Sequence, residues 1–319
     1  MADYEPVEIR GYFRAYSHLP IWEVLDKAGI WEKVGIKMRG MEYCASPPEA
    51  EGALFDGKID FISGNHITPY ALVGQGKPIV CLASPSNNVR DRLVSREPIR
   101  SLADLRGKKI VDLALEGRAA GFNHLRGNHM LYILRAGLKL DDVQWVEIGE
   151  DISSAFRKSQ FEMIRSGKAD AALITGGTAQ YEEAGCHVLQ LDPLPMINGP
   201  TLTTAITALE RKDRLGERMV KAIVMGIHFA RAHREETERI LEGLRSREPE
   251  AGSVRYESLT RMPIKPYPAV DAVANAYELC LMKIPEAKDF SPLALWDTHY
   301  LRDLDQSGFI DGLYRKTIP

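Results

Sequence analysis

Cysteine is scarce and scattered: Cys44, Cys81, Cys186 and Cys280 are the four in 319 residues, and no two form a C-x-x-C pair. Neither a redox dithiol nor a cysteine-ligated zinc site is therefore expected. Long apolar runs are missing as well. A bilayer span needs roughly 18 apolar residues, and the longest run, residues 222–230, is interrupted by His228, which argues against membrane insertion. Charge of one sign is lacking, since 41 Lys and Arg face 44 Asp and Glu for a net charge of −3. No global field would draw such a chain onto nucleic acid, and any preference for a charged ligand must be local. Nucleotide signatures are absent too: Gly121-Phe-Asn-His-Leu-Arg-Gly127 has no Gly-x-Gly and no Lys-Ser/Thr ending. Ser84 and Ser86 stand in a turn rich in Pro and Asn without a nucleophile elbow, so acyl transfer has no support. The opening Met1-Ala-Asp-Tyr-Glu-Pro6 shows no basic n-region, apolar h-region or cleavage site. As written, the chain is expected to be cytoplasmic. A trimmed mature form of an exported, periplasmic protein would begin in the same way.

What is present is a repeat. Gly57-Lys-Ile-Asp-Phe-Ile-Ser-Gly64 returns as Gly167-Lys-Ala-Asp-Ala-Ala-Leu-Ile-Thr-Gly176, with Lys58 and Lys168 lying 110 positions apart. Each copy reads as a helix end capped by Gly, a turn, a short buried strand and a polar loop. The spacing is too long for a solenoid and suits two similar α/β lobes facing a cleft. Strand patterns at 7–13, 35–43, 59–63 and 78–83 alternate with helices at 21–28 and after the capping box Ser46-Pro-Pro-Glu49, which predicts a parallel sheet. Residues 85–107 are polar and aperiodic and read as the crossing into a second lobe with strands at 109–113, 143–148, 169–175 and 187–191. Residues 201–208 would carry the chain back. The expected domains are 1–95 with 205–319, including a C-terminal helical tail, and 96–204. The mixed charges of 231–239 read as a solvated helix face.

The order of these elements, with Gly76-Lys-Pro-Ile79, Ser101-Leu-Ala-Asp-Leu-Arg-Gly-Lys-Lys-Ile110 and both Gly-Lys-x-Asp strands, resembles the type II periplasmic binding proteins. Within them the chain is similar to the nitrate, sulfonate and taurine solute-binding group and its thiamine-pyrimidine-synthesis relatives, over about residues 7–240. The resemblance implies two doubly wound lobes joined by a two-stretch hinge and a small anionic or zwitterionic ligand clamped between them. It also implies an ABC permease as partner if the chain is exported. The thiamine-pyrimidine synthases place a Lys in the loop after the first repeat strand and carry a Cys-rich run. Here that loop is Ser63-Gly-Asn-His66 and no Cys cluster exists, so pyridoxal-phosphate chemistry is not expected and no cofactor is implied.

Ligands of such sheets bind at the carboxyl ends of the strands. The loops expected there carry Arg14, His18, His66, Arg118, His124, Arg126 and His129 against one acid, Glu116. Arg forks suit carboxylates and sulfonates, and the helix starts expected near Ile67 and His129 would add N–H donors. Asn65, Gly176, Gly177 and Thr178 would contribute backbone and small polar groups. Tyr16, Phe122 and Tyr181 would supply flat walls suited to an aromatic anion. A metal held by His18, His66, His124 and His129 is disfavoured, because His124 and His129 stand at i, i+5, wrong for one helix face. The principal expectation is a receptor for a small organic anion, carboxylate or sulfonate. The alternative is an intracellular enzyme on the same fold, a decarboxylase or lyase of an aromatic carboxylate. Asp141-Asp-Val-Gln-Trp-Val146 is similar to the dihydroxyphthalate decarboxylase branch. In that version an Arg fixes the carboxylate and His66, assisted by His18 or His129, protonates the carbanion left by carbon dioxide.

Overall fold

The computed structural model describes residues 5–115, 124–149, 154–253 and 255–315. In chain order its strands are β1 (Val7–Phe13), β2 (Ile36–Tyr43), β3 (Phe61–Ser63), β4 (Ile79–Ala83), β5 (Asn88–Val89), β6 (Asp91–Ser95), β7 (Lys109–Asp112), β8 (Gln144–Glu147), β9 (Ala171–Thr175), β10 (His187–Gln190), β11 (Leu194–Pro195) and β12 (Leu202–Ala205). The chain divides into two compact units, Met1–Asn87 with Ile197–Pro319, and Asn88–Met196. Both borders fall N-terminal to the expected 95/96 and 204/205. The first border moves because β6, a strand hidden in the polar stretch, pairs antiparallel with β9 and β10 and buries Leu93 and Val94; the second moves because β12 pairs with β3 and β4 of the first unit.

The first unit holds a five-stranded sheet in the order β2-β1-β3-β12-β4. Strands β1, β2 and β3 are parallel, as the alternating pattern predicts, but β12 runs antiparallel to both β3 and β4. The sheet is therefore mixed. Returning from the second unit, β12 can wedge into the middle because its polar side chains find partners: Thr203 Oγ1 donates to Gly64 O at 2.9 Å and Thr204 Oγ1 to Asp60 O at 2.6 Å. The second unit repeats this plan with β10-β6-β9-β7-β8, where β6 is the antiparallel member. In each sheet the Gly-Lys-x-Asp strand, β3 or β9, is central.

The repeat residues explain that placement. Gly57 and Gly167 take φ of 69° and 75° past the helices Pro47–Phe55 and Ser154–Arg165, a left-handed conformation that favours Gly. Asp60 then accepts from the Arg10 N–H at 2.9 Å while its own N–H reaches Arg10 O at 2.8 Å. Asp170 does the same with Lys109, at 2.8 Å in both directions. Each repeat Asp thus pins the neighbouring parallel strand in register.

The helix Leu19–Lys27 buries Ile21, Trp22, Val24 and Leu25, and Trp22 stacks on Trp31 at 6.1 Å. The helix Leu215–Ala232 adds Met219, Val220, Ile223 and Ile227 to the core of the first unit. The C-terminal helices Val270–Lys283 and His299–Gln306 belong to the same unit, where Asp297 donates its N–H to Cys81 O beside the edge strand β4. The second unit packs Val94, Val111, Ile164, Ala172, Ile174 and Tyr181. Among the described residues, no helix is long and apolar enough to cross a membrane.

Candidate functional site

The carboxyl edge of the first sheet collects the ends of β1, β2 and β3 with the beginning of β12. Arg14 follows β1, and its Nη1 donates to Cys44 O, just past β2, at 2.6 Å. Burial pulls the Arg14 pKa below its usual value. His18 is buried with Nδ1 3.0 Å from Ser63 O. Gly64 lies against it: a Cβ there would sit 2.5 Å from His18 Cε1, and φ is 93°. The repeat loop therefore needs Gly for both its backbone and its neighbour. Asn65 takes φ of 62°, rare outside Gly. It is held by its amide, which donates to Glu51 Oε1 at 2.9 Å, an oxygen that also accepts from Thr68 Oγ1. Burial raises the Glu51 pKa, against the two hydrogen bonds and Arg14, which lower it. His66 is 4% exposed, and its Nδ1 lies 3.2 Å from Thr201 Oγ1. Arg14, His18 and His66 thus share one strand-end cluster with the buried Glu51 carboxyl, whose pKa burial raises.

At the carboxyl edge of the second sheet, Asp112, Glu147 and Thr175 end β7, β8 and β9, and Asp91 opens β6 beside Thr175. The helix His124–Arg135 lies over them. It is already helical at His124, not first helical near 129 as expected. Residue 129 is therefore mid-helix and has no helix-start N–H groups beside it. His129 is fully buried, with Nδ1 2.7 Å from Asp112 Oδ2 and Nε2 3.6 Å from Asp91 Oδ2. Burial alone would lower its pKa, but the charge and hydrogen bond of Asp112, with the charge of Asp91, outweigh it and hold the value above normal. Arg126 lies 3.5 Å from Asp112 Oδ2 and 3.3 Å over the Trp145 ring. Burial lowers its pKa against the attraction of Asp112 and Glu147. His124 is half-buried with its ring Nε2 enclosed, which brings its pKa down to about 4. Gly176 and Gly177 are exposed and Thr178 is half-buried.

The structure so brings Arg14, Tyr16, His18, Asn65 and His66 to one edge of the first unit, and His124, Arg126, His129, Gly176, Gly177 and Thr178 to the corresponding edge of the second. Arg118, Phe122 and Glu116 lie outside the described residues. Tyr181, expected as a wall, is a core residue packed edge-on to Phe161 at 5.2 Å. Sequence reasoning missed Tyr43, Glu51 and Thr201 in the first unit, and Asp91, Arg92, Asp112 and Arg157 in the second. Arg92 donates to Gly176 O, and Arg157 to Thr175 O at 3.3 Å, so two cations flank the Gly-Gly-Thr loop. Arg92 was concealed by reading 85–107 as a crossing. Glu51 stands in the helix Pro47–Phe55, which has no marked apolar face, so nothing in the spacing marks it as buried. Among the described residues, no group of three or more His, Cys, Asp or Glu could hold a metal ion.

Residues 24–237 match the model of the NMT1/THI5-like family. The chain belongs to that family. A curated relative, a candidate binding protein of Brucella abortus, is 33% identical over 165 residues, 51% of this chain and 48% of the relative. The match thus spans about half the length of the curated relative. Among solved structures, a periplasmic sulfonate-binding protein SsuA of Methylobacillus flagellatus superposes with TM-score 0.67 at 16% identity, covering 97% of this chain and 96% of that one. The desulfurization enzyme DszB, solved with biphenyl-2-sulfinic acid, gives TM-score 0.59 at 16% identity, over 94% and 99% of the two chains. These likenesses identify the fold: two α/β units of the periplasmic-binding-protein kind with added C-terminal helices. They match the expected type II fold and its nitrate and sulfonate relatives.

Proposed function

We propose that this NMT1/THI5-like protein binds a small organic anion, carboxylate or sulfonate, at the strand-end loops. The observation that carries this reading is the charge balance at the edge of the first sheet. Arg14, His18 and His66 gather there beside the buried Glu51 carboxyl, whose Oε1 is already engaged by Asn65 and Thr68. In the second unit Arg92 and Arg157 flank the Gly176 loop, set apart from the Asp112 cluster with His129 and Arg126. An Arg fork recognises a carboxylate or sulfonate through paired N–H donors. The binding-protein description of the Brucella relative and the sulfonate ligand of SsuA support the reading. An ABC permease that receives the ligand is the partner it implies.

The test is a thermal-shift titration of the full chain with carboxylates and sulfonates. A ligand at 100 times its dissociation constant stabilises by about 2.7 kcal/mol, and Arg14→Ala is expected to abolish that gain. Absence of any shift across both anion classes overturns the proposal.

A second reading, decarboxylation or lysis of an aromatic carboxylate, is favoured by the buried His66 imidazole, which Thr201 orients at the strand ends. In it His66 is the proton donor. Undiminished turnover of an aromatic dicarboxylate by His66→Ala protein would end this version.

A further inference from the structure

Tyr43 ends β2 with 49% of its surface exposed, one of the few large apolar side chains so placed. It is not isolated. Its ring stacks on Tyr16 at 5.0 Å and 27°, and the buried ring of Phe13 lies against both, 5.4 Å from Tyr16 and 5.6 Å from Tyr43. Three rings from the ends of β1 and β2 therefore form a ledge with a buried floor and an open front. Its position relative to the anion-binding side chains is fixed by the backbone. Arg14 directly follows Phe13, and its guanidinium donates to the carbonyl of Cys44, the residue directly after Tyr43. The Cys44 N–H in turn donates to Phe13 O at 3.1 Å, so the β1–β2 pairing continues past both strand ends. A cation and a stacked aromatic pair are thus tied to the same two backbone segments.

Solvent exposure of a stacked Tyr pair leaves apolar ring surface in water, and an added ring in offset or edge-on contact removes it. Tyr also loses little side-chain entropy on contact, having few rotatable bonds. The Arg14 guanidinium and the ledge, tied to the same two backbone segments, suit a ligand that carries both a charged end and a flat end.

We propose that Tyr16 and Tyr43 form an aryl subsite, and that the ligand class is an aryl carboxylate or aryl sulfonate whose ring lies on this ledge while its anionic group faces Arg14. This rests on the anion-binding reading above and adds the ring to it. Tyr43 is the specificity-determining residue: it distinguishes a planar ring from a saturated one of equal size.

Matched pairs test it: benzoate against cyclohexanecarboxylate, and benzenesulfonate against cyclohexanesulfonate, each titrated calorimetrically into the full chain. Aromatic contacts of this kind favour the aryl member of a pair by about 3- to 10-fold. Tyr43→Leu is expected to erase the preference while keeping affinity for the saturated anions, and Tyr43→Phe to retain it. Equal affinity for both members of each pair in the wild-type protein, or an unchanged preference in Tyr43→Leu, overturns the aryl subsite and leaves the anion reading standing. Failure of all four anions to bind removes the anion reading itself, and the subsite with it.

Discussion

The side-chain amide of Asn65 donates to Glu51 Oε1 at 2.9 Å, and with hydrogen bonds accepted from Thr68 Oγ1 and Thr203 Oγ1 this contact holds a left-handed residue in the loop after the first repeat strand. A non-Gly residue in that conformation costs roughly 1–2 kcal/mol, which Asn offsets through its short polar side chain. Asn65→Ala keeps the strain and removes a donor from a buried carboxyl, itself a loss of about 1–3 kcal/mol. We expect Asn65→Ala to lower stability by at least about 2 kcal/mol in urea unfolding, and Asn65→Gly to lose less because its backbone strain is gone.

Glu51 also makes stability depend on pH. Its folded pKa is raised by burial, so its contribution is complete below the unfolded value, about 4.3, and is lost as pH rises through the folded value. Glu51→Gln keeps the shape without a charge. Unfolding midpoints measured from pH 4 upward should therefore decline less in Glu51→Gln than in wild type.

Gly64→Ala places a Cβ 2.5 Å from His18 Cε1 at φ of 93°. The ring must shift and the backbone must strain, so a loss of about 1–2 kcal/mol or more is expected. Since His18 and the 63–66 loop move together, anion affinity should fall with stability. A Gly64→Ala protein with wild-type melting temperature and affinity would contradict this placement of His18.

Asp112 partners both His129, at 2.7 Å, and Arg126, at 3.5 Å, all three buried. Asp112→Ala removes the nearest carboxylate from both, leaving His129 with Asp91 at 3.6 Å and Arg126 with Glu147 at 3.9 Å, and should cost about 3–5 kcal/mol in denaturant unfolding. His129 has a raised folded pKa, so its stabilisation is complete below about pH 6.5 and drains away as pH rises through the folded value. His129→Gln should remove this alkaline-side decline, leaving a flatter profile from pH 6.5 to 9.

Much of this arrangement is legible in the chain because it depends on local chemistry. The Gly-Lys-x-Asp copies were readable as helix end, turn and buried strand, and Ser46 does cap the helix Pro47–Phe55 by accepting from the Glu49 N–H at 3.3 Å. The Asp of each copy, read as a turn residue, proved to pin the adjacent strand, a contact 50 residues away for Asp60 and 61 for Asp170. Sites built from long-range pairs were not legible. Glu51 meets Asn65 only when helix and loop pack, and Tyr43 meets Tyr16 only when β1 and β2 align.

Both repeat strands, the helix caps and the α/β class follow from sequence alone, since φ preferences, capping and hydrophobic period act over a few residues. The expectation of one acid at the strand-end loops did not allow for Glu51, Asp91, Asp112 and Glu147, which the fold brings there. Tertiary structure decided that the two repeat strands would be the middle strands of twin mixed sheets, because β6 and β12 insert antiparallel beside them. It also decided which charges are spent inside. His129 and Arg126 are drawn into the Asp112 cluster, whereas Arg14 is half-buried at its sheet edge and donates to a backbone carbonyl, because burying a cation requires a partner that only the packed fold supplies.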